Sequence, residues 1–412
     1  MKTFRINIYE AGFYFLVALA TGIFLVLPVT LDTWRTILAT VSIFFVLVYF
    51  MTHKKKQKCN NKYLLFYISF LVLTVGFETA RAVSSYEYSV YELFYSLREY
   101  IWILLVIPLF LMFKHKGDFK SILRNIINIT LVSLFIRFVT WVVYSFTGIT
   151  LFSNVLYEYG ISWGRNGTAR IDATPLIGVV IVSLYYFYIE TKNKKYLIKL
   201  LFVFFYLLVV TQTRTLLISS LFCCAIMIFF QKRKPNVRFV FQVLALTIVV
   251  GAILLGAFDK LLDYLGLSSG VIGLDYRYFE FNYYLGLLGE GNWKLGLGIL
   301  TTINPASNSF IFGNLDTKMY LDDLGFLGCF VQFGLLSILM YGLLYFYMFK
   351  VMRKCFKVHQ DNYGLLMMGL LSYIFMISIP LNLFGIQRSF SLPIILAVTG
   401  YIESLCKVGL KK

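Results

Sequence analysis

Gly12-Phe13-Tyr14-Phe15-Leu16-Val17-Ala18-Leu19-Ala20-Thr21-Gly22-Ile23-Phe24-Leu25-Val26-Leu27-Pro28-Val29 runs for eighteen residues without a charged side chain. As an α-helix it would be about 27 Å long at 1.5 Å per residue, which suits a bilayer hydrocarbon core about 30 Å thick. The run is too long and too continuous for the apolar region of a signal peptide. Ala18-Leu19-Ala20 has the small residues of a cleavage site, but the apolar sequence continues past it, so the segment reads as a retained span.

Similar runs recur along the chain, at 11–30, 34–51, 63–78, 100–113, 125–147, 173–189, 196–211, 214–230, 238–258, 323–349, 363–380 and 390–406. In lipid a backbone must satisfy its own hydrogen bonds, so each run predicts a helix. The ten-residue alternation of an outer-membrane barrel is absent from the sequence. The expected fold is therefore all-α: a polytopic integral membrane protein of about twelve spans, with residues 1–412 forming one membrane domain. Composition agrees. Of 412 residues, 59% are hydrophobic and 14% charged, with a mean hydropathy of +0.77. A soluble chain carries about 25% charged residues, and so few charges cannot cover a water-facing surface of this size.

Charge is also distributed by loop. His53-Lys54-Lys55-Lys56-Gln57-Lys58, Lys114-His115-Lys116, Lys192-Asn193-Lys194-Lys195, Gln231-Lys232-Arg233-Lys234 and the stretch from Lys350 to Lys357 fall in alternate loops, on the same side as both termini. That side holds 26 Lys and Arg against 5 Asp and Glu; the remainder holds 12 against 15. Positive residues mark the inner side, which predicts a bacterial plasma-membrane protein with both termini cytoplasmic. The net charge of +18 is then a topology signal. Spread over alternate loops, it makes no single basic face for nucleic acid.

Cysteine and histidine add little. Cys223, Cys224, Cys329 and Cys406 fall in spans, Cys59 and Cys355 in inner loops, and no CxxC or His/Cys spacing suits a metal. No phosphate-cradling glycine motif is present. Neither a metal nor another cofactor is expected.

The outer side is more informative. Its loops at 79–99, 148–172 and above all 259–322 exceed what a connection needs, and such loops are often functional. The last contains Asp275-Tyr276-Arg277-Tyr278-Phe279-Glu280-Phe281-Asn282-Tyr283-Tyr284, then Gly296-Leu297-Gly298 and Asn304-Pro305-Ala306-Ser307-Asn308-Ser309. Residues 276–288 predict a short helix with an aromatic face at the membrane surface. Glu280, three residues beyond Arg277, would share its helical face and pair with it. Arg137 falls mid-span, where an ionisable group costs about 2.5–3.5 kcal/mol on insertion scales, so a cavity or a partner is required. Asp322 and Asp323 open a span, where they would either cap its N-terminus or meet a ligand.

This arrangement resembles the O-antigen polymerase and ligase superfamily, in particular the Wzy-type polysaccharide polymerases. The resemblance is carried by Thr211-Gln212-Thr213-Arg214-Thr215 as a short arginine turn between spans, and by Arg277 followed by aromatics and Gly296-Leu297-Gly298. Asn308 through Gly334, with Asp322-Asp323-Leu324-Gly325 and Phe333-Gly334-Leu335, carries the rest. It implies polymerisation of polyprenyl-pyrophosphate-linked oligosaccharide repeat units at the outer face, with membrane lipid around it and the pathway's flippase and chain-length regulator as partners. It further implies Arg277, Arg214, Asp322 and Asp323 as catalytic groups and Arg165, Arg170, Arg137, Arg81 and Arg388 as substrate contacts, with Arg98 a weaker candidate. Arginine suits the task because its planar fork holds two phosphate oxygens while remaining charged. Two features depart from the family. The stretch 306–309 has no histidine of the kind many ligases carry, and position 288, separated from Arg277 by ten residues, is leucine where some polymerases have glycine. A glycan ligase and a polytopic transporter or flippase are the alternatives.

Overall fold

A computed structural model describes residues 8–27, 29–52, 59–116, 119–149, 151–152, 168–231, 271–312, 318–385 and 387–409. The expected span at 238–258, Arg165 and the basic clusters at 53–58 and 232–234 lie outside them. The described residues are predominantly helical, with no β-strand among them.

Fifteen α-helices are described: α1 Ile8–Ala20, α2 Leu31–Thr52, α3 Lys62–Tyr86, α4 Val90–Leu97, α5 Trp102–Lys116, α6 Phe119–Thr147, α7 Ile177–Thr191, α8 Lys194–Tyr206, α9 Arg214–Phe230, α10 Val271–Leu287, α11 Pro305–Phe312, α12 Phe326–Phe333, α13 Leu335–Lys357, α14 Asp361–Ser378 and α15 Ser391–Gly409. Among them α2, α3, α6 and α13 are long and apolar enough to cross a membrane, and α4 with α5, bent by 47°, makes a fifth candidate. Large apolar side chains on these helices face outward, including Phe44 and Met51 on α2, Leu73 on α3, Phe135 on α6 and Phe346 on α13. An apolar exterior of that extent is stable in lipid and not in water. The chain is an all-helical, membrane-embedded protein.

Several expected spans are interrupted, and the breaks have local causes. Gly22 (φ 72°) ends the first run at Ala20 and turns it into a short 3₁₀ helix, Ile23–Val26. The run at 196–211 finishes in a π turn, Leu207–Thr211, before Gln212 (φ 51°) reverses the chain into α9. The run expected from 323 is broken twice, at Gly325 (φ 58°) and Gly334 (φ 52°), so the long helix begins only at Leu335. Positive φ favours glycine, which lacks the Cβ that would clash there.

Packing divides into two cores. The larger one joins the long helices; α14 packs on α9 and α13, and α15 on α5. The smaller one belongs to the segment between α9 and α13 and contains Tyr284, Leu288, Leu297, Leu300, Ile311, Met319, Leu324 and Val331. The predicted aromatic helix is α10, starting at Val271, and its Tyr284 is fully buried in this cap. The cap is stitched to the bundle by backbone. Leu297 N–H donates to Val331 O (2.6 Å), Gly298 N–H to Gln332 O (2.9 Å) and Leu335 N–H to Lys294 O (2.9 Å). The Tyr86 and Tyr88 hydroxyls donate to the Leu297 and Ile299 carbonyls at 2.5 and 2.8 Å. At this crossing Gly296 (φ 74°) and Gly334 touch backbone to backbone: a Cβ on either would lie 2.6 Å from the other's amide nitrogen.

Gly296→Ala and Gly334→Ala should therefore each cost about 2–4 kcal/mol, from the left-handed backbone and the overpacked crossing together. Thermal unfolding of the detergent-solubilised protein measures this. Gly342→Ala, on α13 with nothing within 4 Å of the added methyl, should melt at or above the parent temperature. Parent-like melting of Gly334→Ala would show that the crossing is dispensable.

Candidate functional site

The guanidinium groups separate into those that make several hydrogen bonds with the fold and those held more loosely. Arg81 belongs to the first class. Its Nη2 is 2.6 Å from the buried Glu78 carboxylate and donates to Leu295 O at 2.8 Å, tying α3 to the cap. Arg98 is likewise engaged, with Nη2 2.8 Å from Asp32 Oδ1, Nη1 bonded to Asp32 O and Thr36 Oγ1, and its plane 3.6 Å from the Tyr95 ring centroid.

Arg137, the mid-span arginine, is buried. Its Nη1 donates to Asp172 O (2.6 Å) and its Nη2 to Thr21 O (2.9 Å). Thr21 lies where Gly22 ends α1, so the carbonyls freed by that break receive the charge. Arg170 donates from Nε to Thr211 O and from Nη2 to Thr213 Oγ1, both at 2.9 Å. Arg170 thus braces the 211–215 turn, at whose end Arg214 opens α9. For Arg137 the required partner is backbone, and Arg170 serves backbone in the same way.

Arg277 and Arg388 differ. Arg277 on α10 reaches Asp323 Oδ2 only at 4.0 Å, with both side chains partly open to solvent. Arg388, between α14 and α15, donates from Nη2 to Gln387 Oε1 at 3.2 Å, while its buried Nη1 has no hydrogen-bond partner among the described residues. Both belong to the surroundings of the 3₁₀ turn Leu321–Leu324, which carries Asp322 and Asp323. Neither aspartate supplies a side-chain cap to a helix: Gly325 precedes α12 and no side-chain cap bond is made. The turn is held from behind, with Asn382 N–H donating to Asp322 O at 2.8 Å and Gly385 packed so closely on the Asp322 carboxylate that no side chain fits at 385.

Asp322 has a companion that residue type and spacing alone did not single out. Glu99, at the break between α4 and α5, and Asp322 are both half-buried and lie within electrostatic reach of each other. The Glu99 carboxyl faces the Asp322 charge, with Arg35, Arg98 and Lys318 around it. Burial raises Asp322, opposed by Arg388. Two carboxylates thus lie within electrostatic reach of Arg35, Arg98, Arg388 and Lys318. Arg98-Glu99-Tyr100 sits at the edge of an expected span, and that charged pair was the available signal for Glu99.

Glu280 closes the cap side. It is 1% exposed, and its Oε1 accepts the Tyr320 N–H at 2.7 Å. Burial pushes its carboxyl up to about 7, with Tyr320 and Arg277 opposing and Asp323 adding to the rise. Among the described residues no group of three His, Cys, Asp or Glu side chains stands close enough to hold a metal ion. No family model and no curated protein matches the chain.

Because the folded pKa of Glu280 lies above its unfolded value, its contribution is full below about pH 4.5 and is lost as pH rises through about 7. The cap should therefore loosen from pH 5 to pH 8. Hydrogen exchange of the Tyr320 amide, corrected for the intrinsic pH dependence, reads this directly. Glu280→Gln keeps an acceptor and should abolish the change. Equal pH dependence in parent and variant would remove Glu280 as its source.

Proposed function

We propose that this chain spans the bacterial plasma membrane about twelve times and polymerises polyprenyl-pyrophosphate-linked oligosaccharide repeat units at its outer face. One observation carries the reading: Arg277, 4.0 Å from Asp323, and Arg388, within electrostatic reach of Asp322, flank the turn that bears both aspartates, whereas Arg81, Arg98, Arg137 and Arg170 each make at least two hydrogen bonds with the fold.

In the reaction, a hydroxyl oxygen of one glycan attacks the anomeric carbon of the donor sugar. A carbon–oxygen bond forms as the bond from that carbon to phosphate breaks, and its electron pair departs on polyprenyl pyrophosphate. Arg277 and Arg388 stabilise the charge that develops there, which is the moment at which preorganised cations act most strongly. The hydroxyl proton passes to Asp322 or Glu99. A carboxylate within reach of the attacking hydroxyl can accept its proton as the bond forms. Lysine would supply charge without the two-pronged geometry. The transporter alternative loses its best residue, since Arg137 is bonded to Thr21 and Asp172 carbonyls and serves the packing there.

Arg277→Ala and Arg388→Ala should each reduce polymer formation by about a hundredfold or more, with protein reaching the membrane at parent level. Arg→Lys at either position should restore part of it, and Glu99→Gln with Asp322→Asn should abolish it. Gel sizing of surface glycan is the measurement. Parent-length polymer in both arginine-to-alanine variants would refute the assigned site.

A further inference from the structure

A second polar feature lies at the other end of the bundle, away from the aspartate turn. Where the start of α3 meets the last turns of α13 and α15, an open cavity of about 440 Å³ is lined by Lys62, Tyr63, Lys350, Lys354, Glu403 and Lys407. That size falls within the range of small-ligand clefts, about 300–1,000 Å³.

Its floor is built and buried. Glu403 is 7% exposed, and its Oε2 accepts from Asn61 Nδ2 at 2.8 Å and from the Tyr347 hydroxyl at 3.2 Å. Its Oε1 lies 2.9 Å from Lys407 Nζ. The carboxylate is thereby satisfied from within the protein, and it neutralises Lys407. Lys62, Lys350 and Lys354 have no such partner: among the described residues none of them forms an ion pair. Lys350 Nζ sits 4.2 Å from the Tyr63 ring centroid, and Tyr63 in turn stacks on Tyr347 at 5.5 Å. The ring holds the ammonium in place but leaves its charge uncompensated. Three like charges around one concavity repel one another until an anion sits among them.

We propose that this cavity binds a phosphate group, borne either by the headgroup of an anionic phospholipid or by a soluble phosphate. Lysine meets phosphate as a mobile point charge with three donors, and the three here come from α3 and α13 with α15 closing the floor. Occupation would tie the ends of these helices together through one ligand. This is also the side on which basic residues accumulate, the side that faces anionic lipid in the orientation the loop charges imply. The binding itself is independent of the polymerase reading.

The experiment uses the purified full-length chain. Native mass spectrometry counts retained phosphatidylglycerol against phosphatidylcholine, and calorimetric titration with inorganic phosphate tests the soluble source. The parent should retain phosphatidylglycerol selectively or bind inorganic phosphate; the first result assigns the lipid and the second the soluble anion. In Lys350→Gln/Lys354→Gln the observed binding should weaken by about tenfold. Lys114→Gln/Lys116→Gln, which removes equal charge from another basic loop, should leave it unchanged. The proposal is overturned if neither probe binds, if the Lys350/Lys354 variant binds as the parent does, or if both double variants lose binding equally. Because the readout is binding, loss or persistence of polymer synthesis leaves the result unchanged.

Discussion

Two backbones meet without side chains between them at Gly296 and Gly334, and the placement of the outer site follows from that contact. The 294–298 segment lies against residues 331–335, with three amide–carbonyl bonds across the join. It anchors a cap that has its own small apolar core. The anchor acts together with the Glu280–Tyr320 and Tyr284–Met319 hydrogen bonds, which tie α10 to the residues just before the aspartate turn. Glycine at both positions lets main chain approach main chain, the strongest local constraint a sequence can place on a fold. Arg81 and Tyr86 reinforce the contact by donating to carbonyls of the same segment.

Electrostatics then decides which cations are free to act. A guanidinium near hydrocarbon must have its donors satisfied, and broken helices provide unused carbonyls for this. Arg137 takes those of Thr21 and Asp172, and Arg170 takes that of Thr211. The same breaks that shorten the spans therefore absorb the arginines nearest to them. Arg277 and Arg388 lie where carboxylates, not carbonyls, are the neighbours. A carboxylate can yield its claim on a guanidinium when a phosphate arrives, or take up a proton itself. Distance separates Arg277 from Arg81 and Arg98, which hold the Glu78 and Asp32 carboxylates at 2.6 and 2.8 Å where Arg277 stands 4.0 Å from Asp323.

Helix content was legible because charge-free runs of spanning length have few other uses, and α2, α3 and α6 lie close to their expected positions, whereas α13 begins at Leu335, twelve residues past the expected start at 323. The helix at α10, which carries Asp275, Arg277 and Glu280, was legible from its aromatic face instead. Breaks were harder to see. Gly22 and Gly334 sit inside apolar runs, and hydropathy takes no account of backbone dihedral angles. For the site, arginines and aspartates of the outer loops were visible as residue types, but their satisfaction was not. Whether Arg170 meets a ligand or Thr211 O depends on a turn 41 residues away. Glu99 takes its importance from Asp322, which lies far along the chain and comes near where the adjacent Tyr100 hydroxyl donates to Gln332 Oε1 on α12.

If the site around Asp322 forms glycosidic bonds, each new bond must release one polyprenyl pyrophosphate. The most direct measurement uses the purified chain in lipid nanodiscs, given a synthetic polyprenyl-pyrophosphate oligosaccharide as sole substrate. Growing oligomers are expected, together with one molecule of free polyprenyl pyrophosphate for every new linkage. A folded protein that binds the donor but yields neither product, or that carries the intact donor across a liposome bilayer instead, would contradict polymerisation at this site.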